Sequence, residues 1–215
     1  MDQDPRALLV EVCHLIAARG FTSATGGNIS VRLGDDTCWV TPSRLHKARV
    51  TVGDLVRVDM GCRVVEGRRP ASSETLVHLA IYRALPGARA VVHAHPPAAT
   101  GFAQACRPID TRSSSEASVI LGPEVPLIAY ERPSTPQLAD AVGRAMTRRQ
   151  KAYLLAQHGA VTWGTDLWDA YDVLDTLEVF TQSLVVATIV GGAKPLPEAE
   201  RAWLESKFIA PDSCP

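Results

Sequence analysis

The order in which short apolar strands and amphipathic helices follow one another restricts the fold of this chain more than any other feature. Apolar residues recur at helical spacing over 6–19 and again over 166–190. Between these helices the sequence predicts strand pairs joined by tight turns, at GDD (34–36) and near 59–61. Further helices are predicted at 72–85, near 98–106, at 136–147 and at 197–208, and further strands at 88–95, at 125–130 and on both sides of 158–159. Hairpins interleaved with helices predict one α/β domain over 1–215, with a mixed, mainly antiparallel central sheet flanked by helices and a helical tail from about 195.

The amino-acid composition limits the kinds of partner that the protein is expected to bind. The 22 basic and 23 acidic residues nearly balance, which gives no reason to expect nucleic acid or an anionic membrane as a partner. The longest apolar stretch, near 184–190, is too short to span a membrane, and no secretory signal is visible. The five cysteines are odd in number and widely spaced, which favours reduced thiols and a cytoplasmic location. They are Cys13, Cys38, Cys62, Cys106 and Cys214.

Three histidines stand beside predicted strand ends. His93 and His95 are two residues apart at the end of an apolar strand, so alternation places both side chains on one face of the sheet. His158 follows the apolar run YLLAQ and precedes a glycine. Three imidazoles with an open fourth position are typical of catalytic zinc, although imidazole also suits iron, nickel and copper. The pair HxH alone more often marks two ordinary histidines, and His14, His46 and His78 are interpreted as structural or surface groups.

Two further segments have the chemistry to bind an anion. The predicted helix 72–85 starts with Ser72 and Ser73, whose hydroxyls join the free N–H groups of a helix start. Glu74 follows in its first turn, where a carboxylate also suits the helix dipole without any catalytic role. The loop TGGN at 25–28 would let a backbone approach a phosphate closely, or it is a plain turn.

Five stretches taken together resemble the class II aldolase and adducin head-domain family, and most closely its L-fuculose-1-phosphate aldolase branch. The resemblance covers about residues 6–190, and its specificity comes from the order and spacing of the stretches. They are TGGNISVR (25–32), WVTPS (39–43), SSETLVHLAIY (72–82), AVVHAHP (90–96) and LLAQHGAVTWG (154–164).

The resemblance implies a role for each matching residue. It implies one Zn²⁺, or another divalent transition metal, on His93, His95 and His158, with Glu74 as a mobile carboxylate that ligates the metal and moves protons. It implies a phosphorylated ketose as substrate and a homotetramer with the site near a subunit boundary, to which the 166–190 helix would contribute. The residues that fall where the family binds phosphate are Gly27, Asn28, Ser43, Arg44, Ser72 and Ser73.

The sequence also departs from the family pattern. Arg44 stands where members of the family usually have a glycine. The segment Arg112–Glu116 contains no tyrosine, whereas the fuculose enzyme uses a tyrosine in this segment as a proton donor. The tail also lacks that enzyme's tyrosine and arginine. The resemblance favours an aldolase that yields dihydroxyacetone phosphate and an aldehyde. A sugar-phosphate dehydratase of the methylthioribulose-1-phosphate type or a 4-epimerase is the alternative. The intact set of histidines and Glu74 argues against a third reading, a non-catalytic binding domain.

Overall fold

A single eight-stranded sheet forms the centre of the molecule in a computed structural model that describes residues 4–34 and 36–208. Its strands lie in the order β4-β3-β2-β1-β5-β10-β9-β8, and all neighbours are antiparallel except β8 and β9. Two short strands, β6 and β7, form a separate antiparallel pair. The strands are β1 (Asn28–Arg32), β2 (Thr37–Val40), β3 (Val56–Asp59), β4 (Val64–Glu66), β5 (Ala90–Ala94), β6 (Ile109–Asp110), β7 (Glu124–Val125), β8 (Leu127–Ile128), β9 (Ala152–Leu155) and β10 (Gly159–Gly164).

Helices cover both faces of this sheet, because its central strands are apolar on both sides. Helices α1, α3, α4 and α6 lie on one face, and α2 and α5 pack against each other on the opposite face. Strand β1 shows how the two faces differ. Its residues Ile29 and Val31 enter the core under α1 and α6, while Asn28 and Ser30 face α2. The helices are α1 (Pro5–Ala18), α2 (Thr75–Ala84), α3 (Pro97–Gln104), α4 (Ser115–Leu121), α5 (Pro136–Ala145), α6 (Leu167–Ile189) and α7 (Glu198–Phe208).

The architecture confirms the predicted mixed α/β domain, with differences at three places. The helix expected from 72 begins at Thr75, because the carbonyl of Ser72 closes a turn with the N–H and hydroxyl of Thr75. The strand expected at 125–130 is divided at Pro126, which has no N–H to donate; β7 pairs with β6, and β8 pairs with β9. Helix α4 was not predicted, although its start carries a serine cap from Ser114 to the N–H of Ala117.

The remaining expectations concern thiols, membranes and the tail. Cys13, Cys38, Cys62 and Cys106 are free thiols, whereas Cys214 lies outside the described residues, as does the tail beyond 208. Within the described ranges no helix is both long and apolar enough to cross a membrane. The helical tail predicted from about 195 is represented by α7, which packs against α4.

Candidate metal centre

The three histidines meet at one edge of the sheet because the strands that carry them are adjacent and antiparallel. His93 lies near the end of β5, opposite Asn28 at the start of β1 and Val161 near the start of β10. His95 follows β5 directly, and His158 is the residue before β10. Antiparallel pairing therefore brings the end of β5 beside the start of β10. As a result, His93 and His158 lie close together although they are 65 residues apart in the chain.

The imidazoles face one another closely. Their ring centroids lie 4.7–5.3 Å apart, and one ligand nitrogen from each lies within 4.8 Å of the others. The Nε2 atoms of His93 and His95 are 3.2 Å apart. This cluster could hold a metal ion.

The carboxylate of Glu74, at the start of α2, completes the cluster on the face of the sheet that His93 and Asn28 share. Its Oε2 lies 3.1 Å from Nε2 of His93, and its Oε1 lies 3.5 Å from Nε2 of His158. A tetrahedral ion with bonds of roughly 2.0–2.1 Å holds its ligand atoms about 3.3–3.4 Å apart. The separations of 3.1, 3.2 and 3.5 Å agree with such a coordination shell, and the three histidine ligand atoms together lie within 4.8 Å of one another.

One polar atom of this cluster supports the same fit. Oε1 of Glu74 is buried and finds no hydrogen-bond partner among the described residues. Such atoms carry a desolvation cost unless something else satisfies them. In contrast, Nδ1 of His93 donates to the carbonyl of Ala160 at 2.8 Å, which fixes the ring and leaves Nε2 with a lone pair directed at the cluster. The donor set therefore fits a divalent cation.

Burial and neighbouring charges shift the pKa values of His95, His158 and Glu74 toward the protonation states that bind metals. Burial, followed by the charges of His93 and His158, lowers the pKa of His95 to about 3. Burial and the charge of His93 likewise lower the pKa of His158 to about 4. Burial acts to raise the pKa of Glu74, but the hydrogen bond and charge of His93, with the charge of His158 and the hydrogen bond from Asn28, hold it well below its usual range. Neutral imidazoles and an ionised carboxylate are the forms that metals require.

Two glycines allow the backbone to approach the histidines. Gly27 has φ +71°, and a Cβ there would lie 2.8 Å from the carbonyl oxygen of His93. A Cβ on Gly159 would lie 2.5 Å from Cδ2 of His95. A side chain at either position would therefore displace His93 or His95, so the cluster requires glycine at both positions.

The predicted phosphate-binding residues separate into two groups. Asn28 and Ser72 lie against Glu74: Nδ2 of Asn28 donates to Oε2 at 3.2 Å, and Oγ of Ser72 accepts from the backbone N–H of Glu74 at 3.3 Å. Ser43 and Ser72 lie on segments joined by the pairing of Pro42 with Ala71. Ser73 and Arg44 are exposed, and the hydroxyl of Ser73 accepts a hydrogen bond from Ser134 at 2.9 Å.

Several residues of this region escaped prediction. His78, interpreted above as an ordinary histidine, is fully buried and joined to Glu74 through Asn28. Lys47 is also buried, and its Nζ donates to the carbonyls of Thr25 and Leu45, which ties the 25–28 loop in place. The spacing of Glu74 and His78 indicated a shared helix face, but it did not indicate what that face would contact.

A sequence model of the class II aldolase and adducin N-terminal domain matches residues 7–185. The chain belongs to the class II aldolase family. Its relatives within this family differ in their reactions. A methylthioribulose-1-phosphate dehydratase of Methylococcus capsulatus is 36% identical over 189 residues, with 80% of this chain and 88% of the relative covered. A 3-oxo-tetronate 4-phosphate decarboxylase of Haemophilus influenzae is 35% identical over 185 residues, covering 82% and 85%.

Two further class II aldolase relatives match almost the whole chain. A 5-deoxy-D-ribulose 1-phosphate aldolase of Bacillus thuringiensis serovar kurstaki is 33% identical over 207 residues, covering 96% of both chains. The solved structure of an L-fuculose 1-phosphate aldolase superposes with a TM-score of 0.86 at 27% identity, covering 97% of both chains. All four relatives are named for sugar-phosphate or sugar-acid-phosphate substrates, but not for one reaction.

Proposed function

We propose that this protein is a zinc-dependent aldolase that cleaves a short ketose 1-phosphate to dihydroxyacetone phosphate and an aldehyde. The observation that carries the proposal is the cluster of three imidazoles and the Glu74 carboxylate at ligand distances from one another. The near-complete match to a ketose 1-phosphate aldolase favours cleavage among the reactions of the family.

His93, His95 and His158 would hold one divalent ion, with Glu74 as a fourth ligand when no substrate is bound. Zinc is the metal we expect, because a set of three neutral imidazoles and one carboxylate suits its tetrahedral preference. The bound ion would stabilise the negative charge that develops on the oxygens of the substrate during reaction.

The cleavage needs two proton transfers. With carbons numbered from the phosphate, the C4 hydroxyl loses its proton as the C3–C4 bond breaks, and the electron pair passes to the C2–C3 enediolate. C3 then gains a proton, and the products together have the composition of the substrate. We assign the proton transfer at C3 to Glu74, since its carboxylate lies beside the histidine cluster and makes no hydrogen bond that caps α2.

The phosphate would lie against the 25–28 loop and the turn before α2. Gly27, Asn28, Ser43, Ser72 and Ser73 supply backbone N–H groups and hydroxyls there, and Arg44 adds a guanidinium. This binding would orient C3 toward Glu74 and would make free ketoses poor substrates, because binding energy at the phosphate also supports the chemical step.

A dehydratase is the second candidate, favoured by the identity to methylthioribulose-1-phosphate dehydratase. In that reaction Glu74 would remove the C3 proton, the C4 hydroxyl would leave as water after gaining a proton, and the enol would rearrange to a 2,3-diketone. Both reactions use the same enediolate and the same carboxylate. They differ in whether the C3–C4 bond or the C4–O bond breaks.

Product identity decides between these reactions. Zinc-loaded protein is incubated with a panel of ketose 1-phosphates and 3-oxo-tetronate 4-phosphate, and ¹³C NMR identifies the products. Dihydroxyacetone phosphate with an aldehyde supports the aldolase. A product lighter by one water supports the dehydratase, and release of CO₂ supports a decarboxylase; either result overturns the aldolase proposal.

We also propose a homotetramer in the reducing cytoplasm. The second half of α6 exposes Val185, Val186 and Ile189, an apolar surface that a neighbouring subunit would cover. Light scattering coupled to size exclusion should give the mass of four chains, and a monomer mass would contradict this proposal.

A further inference from the structure

A continuous line of buried polar side chains runs from the metal centre into the interior, between α2 and β1. It consists of Glu74, Asn28, His78, Ser30 and Tyr82, and we call it the relay. Each member is at most 8% exposed. The relay lies on a face of the sheet that is otherwise packed with valine and leucine, where buried polar groups persist only when they are hydrogen-bonded.

Helix and strand periodicity align the relay. Glu74, His78 and Tyr82 are four residues apart, so they lie along one stripe of α2. Asn28 and Ser30 are two apart on β1 and point to the face that α2 covers. The contacts alternate between helix and strand. They are 3.2 Å from Glu74 to Asn28, 2.5 Å from Asn28 to His78, 2.7 Å from His78 to Ser30 and 2.6 Å from Ser30 to Tyr82.

The direction of each hydrogen bond follows from the carboxylate. Ionised Glu74 only accepts, so the amide nitrogen of Asn28 must face it and the amide oxygen must face His78. Nε2 of His78 therefore carries the proton, and a neutral ring leaves a lone pair on Nδ1. The hydroxyl of Ser30 donates to that lone pair and accepts from Tyr82, so every donor points toward Glu74.

The protonation states of the two inner groups agree with this direction. Burial, with the charge of His93, lowers the pKa of His78 to about 3, so the ring is neutral at physiological pH. Burial raises the pKa of Tyr82, which keeps its hydroxyl a donor. An inverted Asn28 amide would place its oxygen against the carboxylate and is excluded by repulsion.

We propose that His78 is a positioning residue: through Asn28 it holds the Glu74 carboxylate in one orientation at the metal centre, and Ser30, which donates to Nδ1 of His78, fixes the tautomer in which it does so. This inference rests on the proposed role of Glu74. It assigns a function to a histidine that touches neither metal ligand nor substrate.

The test is a double-mutant cycle between His78→Leu and Glu74→Gln, read as apparent zinc affinity in competition with a chelator. His78→Leu should weaken zinc binding by about 10–100-fold in the wild-type background, as loss of an outer hydrogen-bond partner does. In the Glu74→Gln background the same change should have little further effect, because the carboxylate that His78 positions is already gone. An equal loss in both backgrounds, or no loss in either, overturns the proposal.

Controls separate positioning from damage to the core. Leu79→Ala removes an equally buried neighbour on α2 and should lower the melting temperature without changing zinc affinity. His78→Gln should recover part of the affinity, because its amide nitrogen can donate to Asn28. If His78→Leu does not fold, the cycle is run with His78→Phe, which likewise cannot donate to Asn28, and absence of coupling to Glu74→Gln again overturns the proposal.

A measurement without metal or substrate tests the relay itself. The ¹⁵N shifts of His78 should show a protonated Nε2 and an unprotonated Nδ1, and Tyr82→Phe should retain that tautomer while Ser30→Ala weakens its preference. The opposite tautomer in the wild-type protein overturns the proposal. Since neither zinc affinity nor ¹⁵N shifts require turnover, failure to find a sugar-phosphate substrate would contradict the proposed function while leaving this test decisive.

Discussion

The candidate metal centre and the exposed loop residues predicted to lie near it are supported in different ways. His93 and Glu74 are buried, and each is held by contacts from a neighbouring strand: Ala160 for His93, and Asn28 for Glu74. Arg44, Ser73 and Ser134 are exposed residues of loops, and we call these three the rim. The hydroxyl of Ser134 donates to that of Ser73.

The buried centre is suited to the chemical step, and the exposed rim is suited to substrate specificity. Atoms that bind a metal or move a proton must be placed within fractions of an ångström, and adjacent strands with buried hydrogen bonds provide that precision. Loops at the rim can change without altering the sheet. The relatives of this chain are named as a dehydratase, a decarboxylase and an aldolase, so one family includes proteins named for different reactions.

The largest expected effect is loss of the metal. His93→Ala, His95→Ala or His158→Ala should abolish stoichiometric zinc, a greater loss than the about 10–100-fold of an outer-contact mutation. Zinc at 100 times its dissociation constant should stabilise the wild-type protein by about 2.7 kcal/mol and should not stabilise the variants. Metal analysis and thermal melts with and without zinc measure both effects.

His14→Ala is the matched control, because His14 is exposed and contacts only the carbonyl of Val50 among the described residues. It should retain stoichiometric zinc and the zinc-dependent rise in melting temperature. Stoichiometric zinc in all three cluster variants would place the metal elsewhere and would remove the basis of the comparison between centre and rim.

The second-largest effect is expected from substitution of Glu74. Glu74→Gln should lower kcat by about 10²–10⁴-fold, because an amide cannot take up the proton. The free energy of unfolding should change little, since the Glu74 side chain makes no capping hydrogen bond to α2. Glu11→Gln, an exposed carboxylate on α1, is the control and should leave kcat unchanged. If Glu74→Gln keeps full turnover, the carboxylate is structural and proton transfer belongs to another group.

The three histidines and Glu74 were the residues of the site that the sequence indicated most directly. Alternation along a strand is enough to place His93 and His95 on one face, and the apolar run before His158 indicated a second strand end. The central strands β5 and β9 were predictable because they carry apolar runs. The turn before α2 was not, because whether Ser72 begins a helix depends on its pairing with Thr41, a contact between segments about 30 residues apart.

Contacts between distant segments explain the other omissions. The spacing of Glu74, His78 and Tyr82 defines a stripe on α2, but nothing local shows that β1 lies beneath it. Ser134 reaches Ser73 across 61 residues of chain. Nothing in the sequence around Lys47 indicates that the fold buries it and directs its Nζ to the carbonyl of Thr25 in the 25–28 loop.

A smaller effect is expected at Lys47, which lies between the centre and the rim. Its Nζ donates to Thr25 and Leu45, so Lys47→Met should loosen the loop that we expect to bind phosphate. Loss of hydrogen bonds from a charged group corresponds to about 1.5 kcal/mol, or roughly a tenfold rise in KM for phosphorylated substrate. Lys151→Met, which breaks an ion pair with Asp169, is the control and should not raise KM. An unchanged KM in Lys47→Met would contradict a role of the 25–28 loop in phosphate binding.

The smallest effect is expected at Arg44, on the rim. Arg44 has φ 56°, a left-handed conformation that glycine adopts more readily. Arg44→Gly would relieve strain of about 1 kcal/mol but would also raise the conformational entropy of the unfolded chain by a similar amount, so stability should change by less than about 1 kcal/mol. Binding should respond more, because Arg44 is exposed and its guanidinium can contact an anion.

Arg44→Ala separates charge from backbone conformation, since alanine removes the guanidinium and retains the strained backbone. If Arg44 contacts the phosphate, both variants should weaken binding of a ketose 1-phosphate by a similar factor, about tenfold or less, and leave kcat nearly unchanged. If Arg44 only narrows the pocket, both variants should accept longer aldehyde portions with unchanged affinity for the phosphate. A large fall in kcat in either variant would contradict the separation of centre and rim, because a rim residue would then act in the chemical step.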